Sequence, residues 1–388
     1  EWVTADISSL VTPEAWTPYL EGTDAVINAA GALQDGARDN LPDIHERSIK
    51  ALIKACEGGG SQKFIQISAP GASATSSTTF YRTKAAADAA LKESALEWLV
   101  LRPGVVIAPA AYGGTALLRA LAAFPLVQPL VFGDRPLQTV SQADLGEIVA
   151  KTLDGDIAWR QDFDVIEHDA HTLAETVGAY RRWLGFAPAR FTVESPKWIA
   201  SLIARTADFL GHLGWRSPLR STALKVTSEG VAGDPAPVER IVGSRLSSLE
   251  ETLASLPSTV QDRWFARLFL LMPLLVATLS LFWIASGAIG LARFTAATAL
   301  LTENGIPRGL ASFAVAAGSL VDIVLGLSIL IRRTAAMASG GMILVSLAYL
   351  AGGTFAVPHL WADPLGPLVK AVPAMVLALV AIICLEDR

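Results

Sequence analysis

Four apolar stretches close this 388-residue sequence, at residues 268–291, 310–331, 335–357 and 369–385. Each is near the roughly 20 residues that a helix needs to cross a bilayer. Four buried helices of that length in succession do not suit a water-soluble core. The last third, residues 263–388, is therefore read as an all-α bundle of four membrane-crossing helices. Composition agrees, since 52% of the chain is apolar and only 17% is charged, too little polarity for an ordinary soluble protein.

Charges at the ends of these stretches set an orientation. Arg263, Arg267, Arg332, Arg333 and Arg388 fall on one side, and Arg293, Arg308 and Lys370 on the other. An excess of Arg and Lys marks the cytoplasmic side. The expectation is a multi-pass protein of the cell inner membrane, with its amino-terminal part in the cytoplasm. Asp322 stands mid-helix among apolar residues. An acid there costs about 2.5–3.5 kcal/mol on insertion scales, so it should face the bundle interior. Gly318 and Gly326 flank it at four-residue spacing, on the same face. Two readings stay open: proton handling or binding of a quinone or lipid head group, and a hydrogen bond that fixes the bundle. His359, Trp361 and Asp363 fall at the outer interface.

The first half has a different period. Residues 64–67 are an apolar run, residues 79–94 an alanine-rich helical run, and residues 98–101 a second apolar run. That is a strand, a crossover helix and a parallel strand, the unit of an α/β doubly wound parallel sheet. Ser68 ends the first strand. Tyr81 and Lys84 fall near the start of the helix, just past the strand's carboxyl end, where ligands bind in open sheets. Residues 24–28 form another short strand, leaving through Ala29, Ala30 and Gly31. Residues 44–56 are amphipathic, and Gly58-Gly59-Gly60 stops that helix rather than opening one, so it is no phosphate loop. Residues 2–7 read as a strand too. The sheet's first strands are then missing, which leaves an unpaired edge.

Several classes of function are excluded. A net charge of −5 and no dense Lys/Arg stripe argue against nucleic acid. Two cysteines, Cys56 and Cys384, are too few and too far apart for a zinc site, and read as small buried apolar residues. His168, Asp169 and His171 match no common ligand spacing, so no metal is expected. Prolines punctuate a connector, residues 191–262, between the sheet domain (residues 1–190) and the bundle. Within it residues 198–213 are amphipathic, a helix lying on the substrate pocket or on the bilayer surface.

Ser68-Ala69, Tyr81-Arg82-Thr83-Lys84-Ala85-Ala86-Ala87-Asp88 and Leu101-Arg102-Pro103-Gly104 resemble the atypical and extended short-chain dehydrogenase/reductases. The nearest in character are NAD(P)-binding proteins similar to an accessory subunit of respiratory complex I. The resemblance covers about the first half and implies a Rossmann-like fold and NAD or NADP. It implies that Asp6 accepts from the adenine amino group, although a turn Asp is the alternative. It places Asn28, Ala29, Ala30 and Gly31 beside the ribose and pyrophosphate, with the Gly-rich loop lying upstream. It gives Lys84 the ribose hydroxyls, and Pro103 and Gly104 the turn towards the nicotinamide. Arg102 is a pocket residue or a structural ion pair.

The family's catalytic Tyr precedes its Lys by four residues, where Phe80 stands here; Tyr81 is three before Lys84. Tyr81 serves as the acid if the helix start is displaced by one residue. Otherwise the acid is lost. The apolar third resembles the DoxX-like membrane domain, through Asp322, Pro358-His359-Leu360-Trp361 and Asp363-Pro364-Leu365-Gly366-Pro367. Together these imply a membrane-anchored NAD(P)-dependent oxidoreductase acting on a small hydrophobic carbonyl or alcohol. The alternatives are a non-catalytic NAD(P)-binding sensor or assembly protein, and a partner of the respiratory chain or of quinone.

Overall fold

A computed structural model describes residues 2–37, 39–59, 61–364 and 366–385. Gly60, Leu365 and Arg388, which entered the sequence reading, lie outside the described residues. The chain packs as two compact units, Glu1–Gly211 with Arg216–Phe269, and His212–Trp215 with Leu270–Arg388.

In the first unit the chain runs through α1 (Pro13–Leu20), β1 (Ala25–Asn28), α2 (Ser48–Glu57), β2 (Lys63–Ile67), α3 (Thr79–Glu93) and β3 (Glu97–Pro103). Next come β4 (Val105–Ile107), α4 (Gly113–Ala122), β5 (Val127–Leu130), β6 (Pro136–Leu137), β7 (Thr139–Ser141), α5 (Gln142–Asp154) and β8 (Gln161–Val165). The unit continues with β9 (His171–Thr172), α6 (Leu173–Trp183), β10 (Phe191–Glu194), α7 (Lys197–His212), α8 (Ser221–Glu229), α9 (Ala236–Val242), α10 (Leu249–Ser255) and α11 (Val260–Phe269). The main sheet is parallel, in the order β1-β2-β3-β8, with Ala25 opposite Lys63, Lys63 opposite Glu97 and Leu99 opposite Gln161.

Alternation along the strands buries both faces of this sheet. Phe64 and Val100 pack with Ile49, Leu52 and Ile53 of α2 and Ala87 and Leu91 of α3. Ile65, Leu99, Leu101 and Phe163 pack on the other face with Ile148 of α5 and Val238 of α9. Local chemistry sets the helix starts. The Thr78 hydroxyl caps α3, Ser141 caps α5, and Thr172 with Glu175 forms a capping box on α6.

The strand expected at residues 2–7 is absent: residues 2–6 are irregular and Ile7–Ser9 is a 3-10 turn. Among the described residues β1 pairs only with β2, so its outer edge is open, and Ile27 is half exposed there. Without a neighbouring ladder, an amino-terminal strand has no partners for its N–H and C=O groups.

The second unit holds α12 (Leu271–Ala292), α13 (Phe294–Glu303), α14 (Arg308–Ser328), α15 (Ala335–Ala356) and α16 (Pro367–Cys384). Among the described residues three of these, α12, α14 and α15, are long and apolar enough to cross a membrane. The fourth expected span forms the shorter α16, with Pro373 inside it. Helix α13 was not anticipated. A Cβ at Gly287 would overlap the Ser319 carbonyl oxygen, and one at Gly326 would lie 2.9 Å from the Ile284 nitrogen. Small residues therefore set the approach of α12 and α14. Outward stand Leu274, Leu281, Phe313, Leu320, Leu344 and Phe355, an apolar surface that suits lipid rather than water. Cys56 is buried as expected, but Cys384 is exposed among these outward residues.

Candidate functional site

The carboxyl ends of β1 and β2 carry the site. Asn28, the last residue of β1, donates from Nδ2 to Gln66 Oε1 on β2 at 2.8 Å. Its Oδ1 accepts from the Ala30 N–H at 3.1 Å. Asn28 thus fixes how the chain leaves the strand. Lys84 comes up from the second turn of α3, and its Nζ donates to Ala30 O at 3.2 Å and Ile67 O at 2.9 Å. Burial brings the Lys84 pKa down to about 8, against the opposing pull of Asp88, so the side chain is still cationic at neutral pH. A Cβ at Gly31 would lie 3.5 Å from Nζ. The glycine therefore sets no side chain against Nζ from that direction, while the lysine as a whole is buried, 5% exposed.

His45, which belongs to no motif in the sequence, completes this corner. It is 1% exposed. Its Nε2 accepts from the Ala32 N–H at 3.0 Å, which puts the ring proton on Nδ1, 3.1 Å from Thr83 Oγ1. Thr83 in turn donates to Thr79 O at 2.9 Å. Burial first, then the Lys84 charge, lowers the His45 pKa to about 3, so the ring stays neutral. The one sequence signal for this contact is that Thr83 immediately precedes Lys84.

The Ser68 hydroxyl donates to Asp88 Oδ2 at 2.5 Å, tying the end of β2 to α3. Burial raises the Asp88 pKa, opposed by that hydrogen bond. Arg102 bonds Asp164 Oδ1 at 2.9 Å and Asp162 Oδ2 at 3.0 Å, both on β8. This is the ion pair left open in the sequence reading. Pro103 pairs with Val165 across the same ladder. Gly104 follows, and a Cβ there would overlap the Gln138 carbonyl oxygen, so only glycine lets β3 and the chain before β7 approach this closely.

Tyr81 is buried, its ring against Gly71 and its centroid 5.1 Å from that of the Phe80 ring. Burial first and then the Glu229 carboxylate push its pKa up to about 12, with no lysine among the causes. Phe80 lies over His45, with ring centroids 5.7 Å apart. Asp6 accepts from Ser8 N at 3.0 Å and from Ser8 Oγ at 2.7 Å, closing the first 3-10 turn. Among the described residues no hydrogen bond joins it to the Lys84 corner. Asp144 accepts from Ser247 N at 2.9 Å, a structural role. No cluster of three metal-ligating side chains occurs among the described residues.

In the second unit Asp322 is buried as expected. Its carboxylate accepts from Ser286 Oγ on α12 at 2.8 Å and from Tyr349 Oη on α15 at 2.9 Å. A Cβ at Gly318 would come within 2.8 Å of that same Tyr349 oxygen. Ser286 and Tyr349 escaped the sequence reading because hydroxyls on separate spans carry no shared motif.

Residues 1–155 match the model of an NAD(P)H-binding family, and residues 280–379 match that of a DoxX-like family. No curated protein matches the chain in sequence. Among solved structures, the chain is similar to the Bordetella bronchiseptica enzyme WbmG in complex with NAD, at 17% identity and a TM-score of 0.46, over 65% of this chain and 76% of that one. It is also similar to NADPH-dependent quinone oxidoreductase QOR2 from Escherichia coli complexed with NADPH, at 17% identity and a TM-score of 0.47, over 65% of this chain and 81% of that one. The amino-terminal part of the chain is thus an NAD(P)-binding domain, and the carboxyl-terminal part a DoxX-like one.

Proposed function

We propose that this protein holds NAD or NADP at the carboxyl edge of its parallel sheet, beside a bilayer, and exchanges hydride with a small hydrophobic carbonyl or alcohol. Lys84 is the observation that carries this reading. It is a buried cation whose anchoring partners are main-chain carbonyls, and the residue beside it is a glycine, which sets no side chain against Nζ. Two of its three N–H donors are used, and one remains for a ribose hydroxyl. The main chain of Ala29, Ala30 and Gly31 then runs along the sugar and pyrophosphate, while Pro103 and Gly104 border the nicotinamide side. Asn28, Ser68 and Arg102 act one step back, by holding those segments in place. Asp6 keeps its adenine role only if it gives up Ser8. The bound dinucleotide supplies or accepts the hydride. Arg263, Arg267, Arg332 and Arg333 favour the cytoplasm of a cell inner membrane for the dinucleotide domain.

A second reading, dinucleotide binding without turnover, is favoured by Tyr81. A phenol held in its proton form by burial and a carboxylate is a poor acid for an alkoxide. A respiratory-chain or quinone partner draws no support from Asp322, whose two oxygens are taken by hydroxyls.

Titration of the purified full-length protein with NADH and NADPH, followed by turnover on apolar aldehydes and ketones, separates these readings. Lys84→Ala should weaken binding about 10- to 100-fold, the worth of a charge-assisted hydrogen bond. Wild-type affinity should fall as pH rises through about 8, where Lys84 loses its proton. Turnover abolished in Tyr81→Phe with binding intact makes Tyr81 the acid. Wild-type binding without turnover selects the second reading, and absence of binding sinks both.

A further inference from the structure

Helix α7 is inside out for a helix in water. Ala200, Ala204, Ala207 and Gly211 are its buried residues. Trp198, Leu202 and Phe209 are 69%, 59% and 64% exposed. With Arg205 they recur at i, i+4, i+7 and i+11, a single outward stripe. The small residues take the packed side because they allow closer approach. Helix α11 repeats the arrangement. Ala266 is buried, while Trp264 and Leu268 stand on the exposed face. Its Arg263 and Arg267 fold back over the Phe186 ring, at 5.8 and 4.9 Å from the centroid.

Chain continuity says what covers these faces. Helix α7 runs straight into His212–Trp215, which belongs to the second unit. There Leu213 O accepts from the Arg332 N–H at 3.0 Å, and Trp215 Nε1 donates to Leu330 O at 2.6 Å. Arg332 Nη2 also reaches Leu385 O at 2.6 Å, so this end of the bundle gathers the carboxyl ends of α14 and α16. Helix α12 lies antiparallel to α14, since Ser280 bonds Gly326 O while Ser286 bonds Asp322, which brings its amino end to the same place. One residue, Leu270, separates α11 from α12. Both amphipathic helices therefore enter the apolar bundle at one end, where a bilayer has its headgroups. Trp favours that depth, and long basic side chains reach phosphates from it.

We infer that α7 and α11 lie in the headgroup layer of the bilayer, with Trp198, Leu202, Phe209, Trp264 and Leu268 against acyl chains and Arg205 at the phosphates. The partner is the phospholipid surface itself, so the inference rests on the reading of α12, α14 and α15 as membrane spans.

The test uses full-length protein in phosphatidylcholine–phosphatidylglycerol vesicles, with Cys56→Ala and Cys384→Ser as background. Nitroxide labels are placed at Leu202→Cys, Leu268→Cys, Leu320→Cys on α14, and Glu14→Cys as the aqueous control. Collision with oxygen, which partitions into lipid, is compared with collision with a water-soluble nickel chelate. The ratio at positions 202 and 268 should exceed that at 14 several-fold and approach that at 320. Labels at 202 and 268 that meet the chelate as freely as at 14 overturn the inference. Labels shielded from both reagents overturn it too, in favour of a protein cover such as a second copy. A water-like signal at 320 removes the membrane reading and this inference together, whereas a lipid-like signal there with water at 202 removes only the inference.

Discussion

The two units each bury an ionisable side chain, and they satisfy it in opposite ways. Lys84 bonds two main-chain carbonyls near strand ends, and Gly31 beside it sets no side chain against Nζ. Asp322 bonds two hydroxyls from neighbouring helices, and a side chain on Gly318 would press on one of them. The first group is held by the main chain, and one of its three N–H donors is left over. The second is closed by its partners, and a ligand would have to displace one. Burial alone does not mark a binding site; what matters is whether the partners leave a donor to spare.

The largest expected effect sharpens the first half of this contrast. His45 braces the Lys84 corner only while neutral. Its folded pKa, about 3, lies below the unfolded value near 6.5, so the unfolded chain takes up the extra proton between these values. Stability should therefore rise with pH across that window and be lost as pH falls from about 6.5 to about 3, by roughly 3–5 kcal/mol. Denaturation followed against pH checks this: His45→Gln should lose the slope, and an unchanged slope would show that the ring is not held neutral. Next in size, Asp322→Leu strands the Ser286 and Tyr349 hydroxyls and should destabilise the bundle by about 1–3 kcal/mol, with Asp322→Asn nearer wild type. Thermal unfolding in detergent measures both, and a Leu variant as stable as wild type breaks the comparison. The smallest effect on stability is Gly31→Ala. Its Cβ meets only ordinary contacts, so stability should move within about 0.5 kcal/mol. Dinucleotide affinity should nonetheless drop several-fold, because the methyl group covers Nζ; equal affinity would mean that the ligand does not reach Lys84 from this side.

The strand–helix–strand run around Lys84 was legible because strand and helix periods differ and the crossover is local. Lys84 itself was legible from its offset past the strand end. His45 was not, since its two partners, Ala32 and Thr83, come from different segments. Arg102 stayed ambiguous until β8 placed Asp162 and Asp164 beside it. Residues 2–7 misled because an apolar, β-prone run needs a ladder partner, and strand propensity does not supply one.

What the sequence determined by itself is what depends on neighbours along the chain: the parallel α/β unit, the apolar helices, and an acid too costly to face lipid. Tertiary structure alone decided which polar atoms meet, because hydrogen bonds join residues far apart in sequence and depend on ångström-scale approach. It turned Arg102 to Asp162 and Asp164, Tyr81 to the Gly71 loop, and Asp322 to Ser286 and Tyr349. It also turned the large face of α7 outward, because close packing chose the alanines.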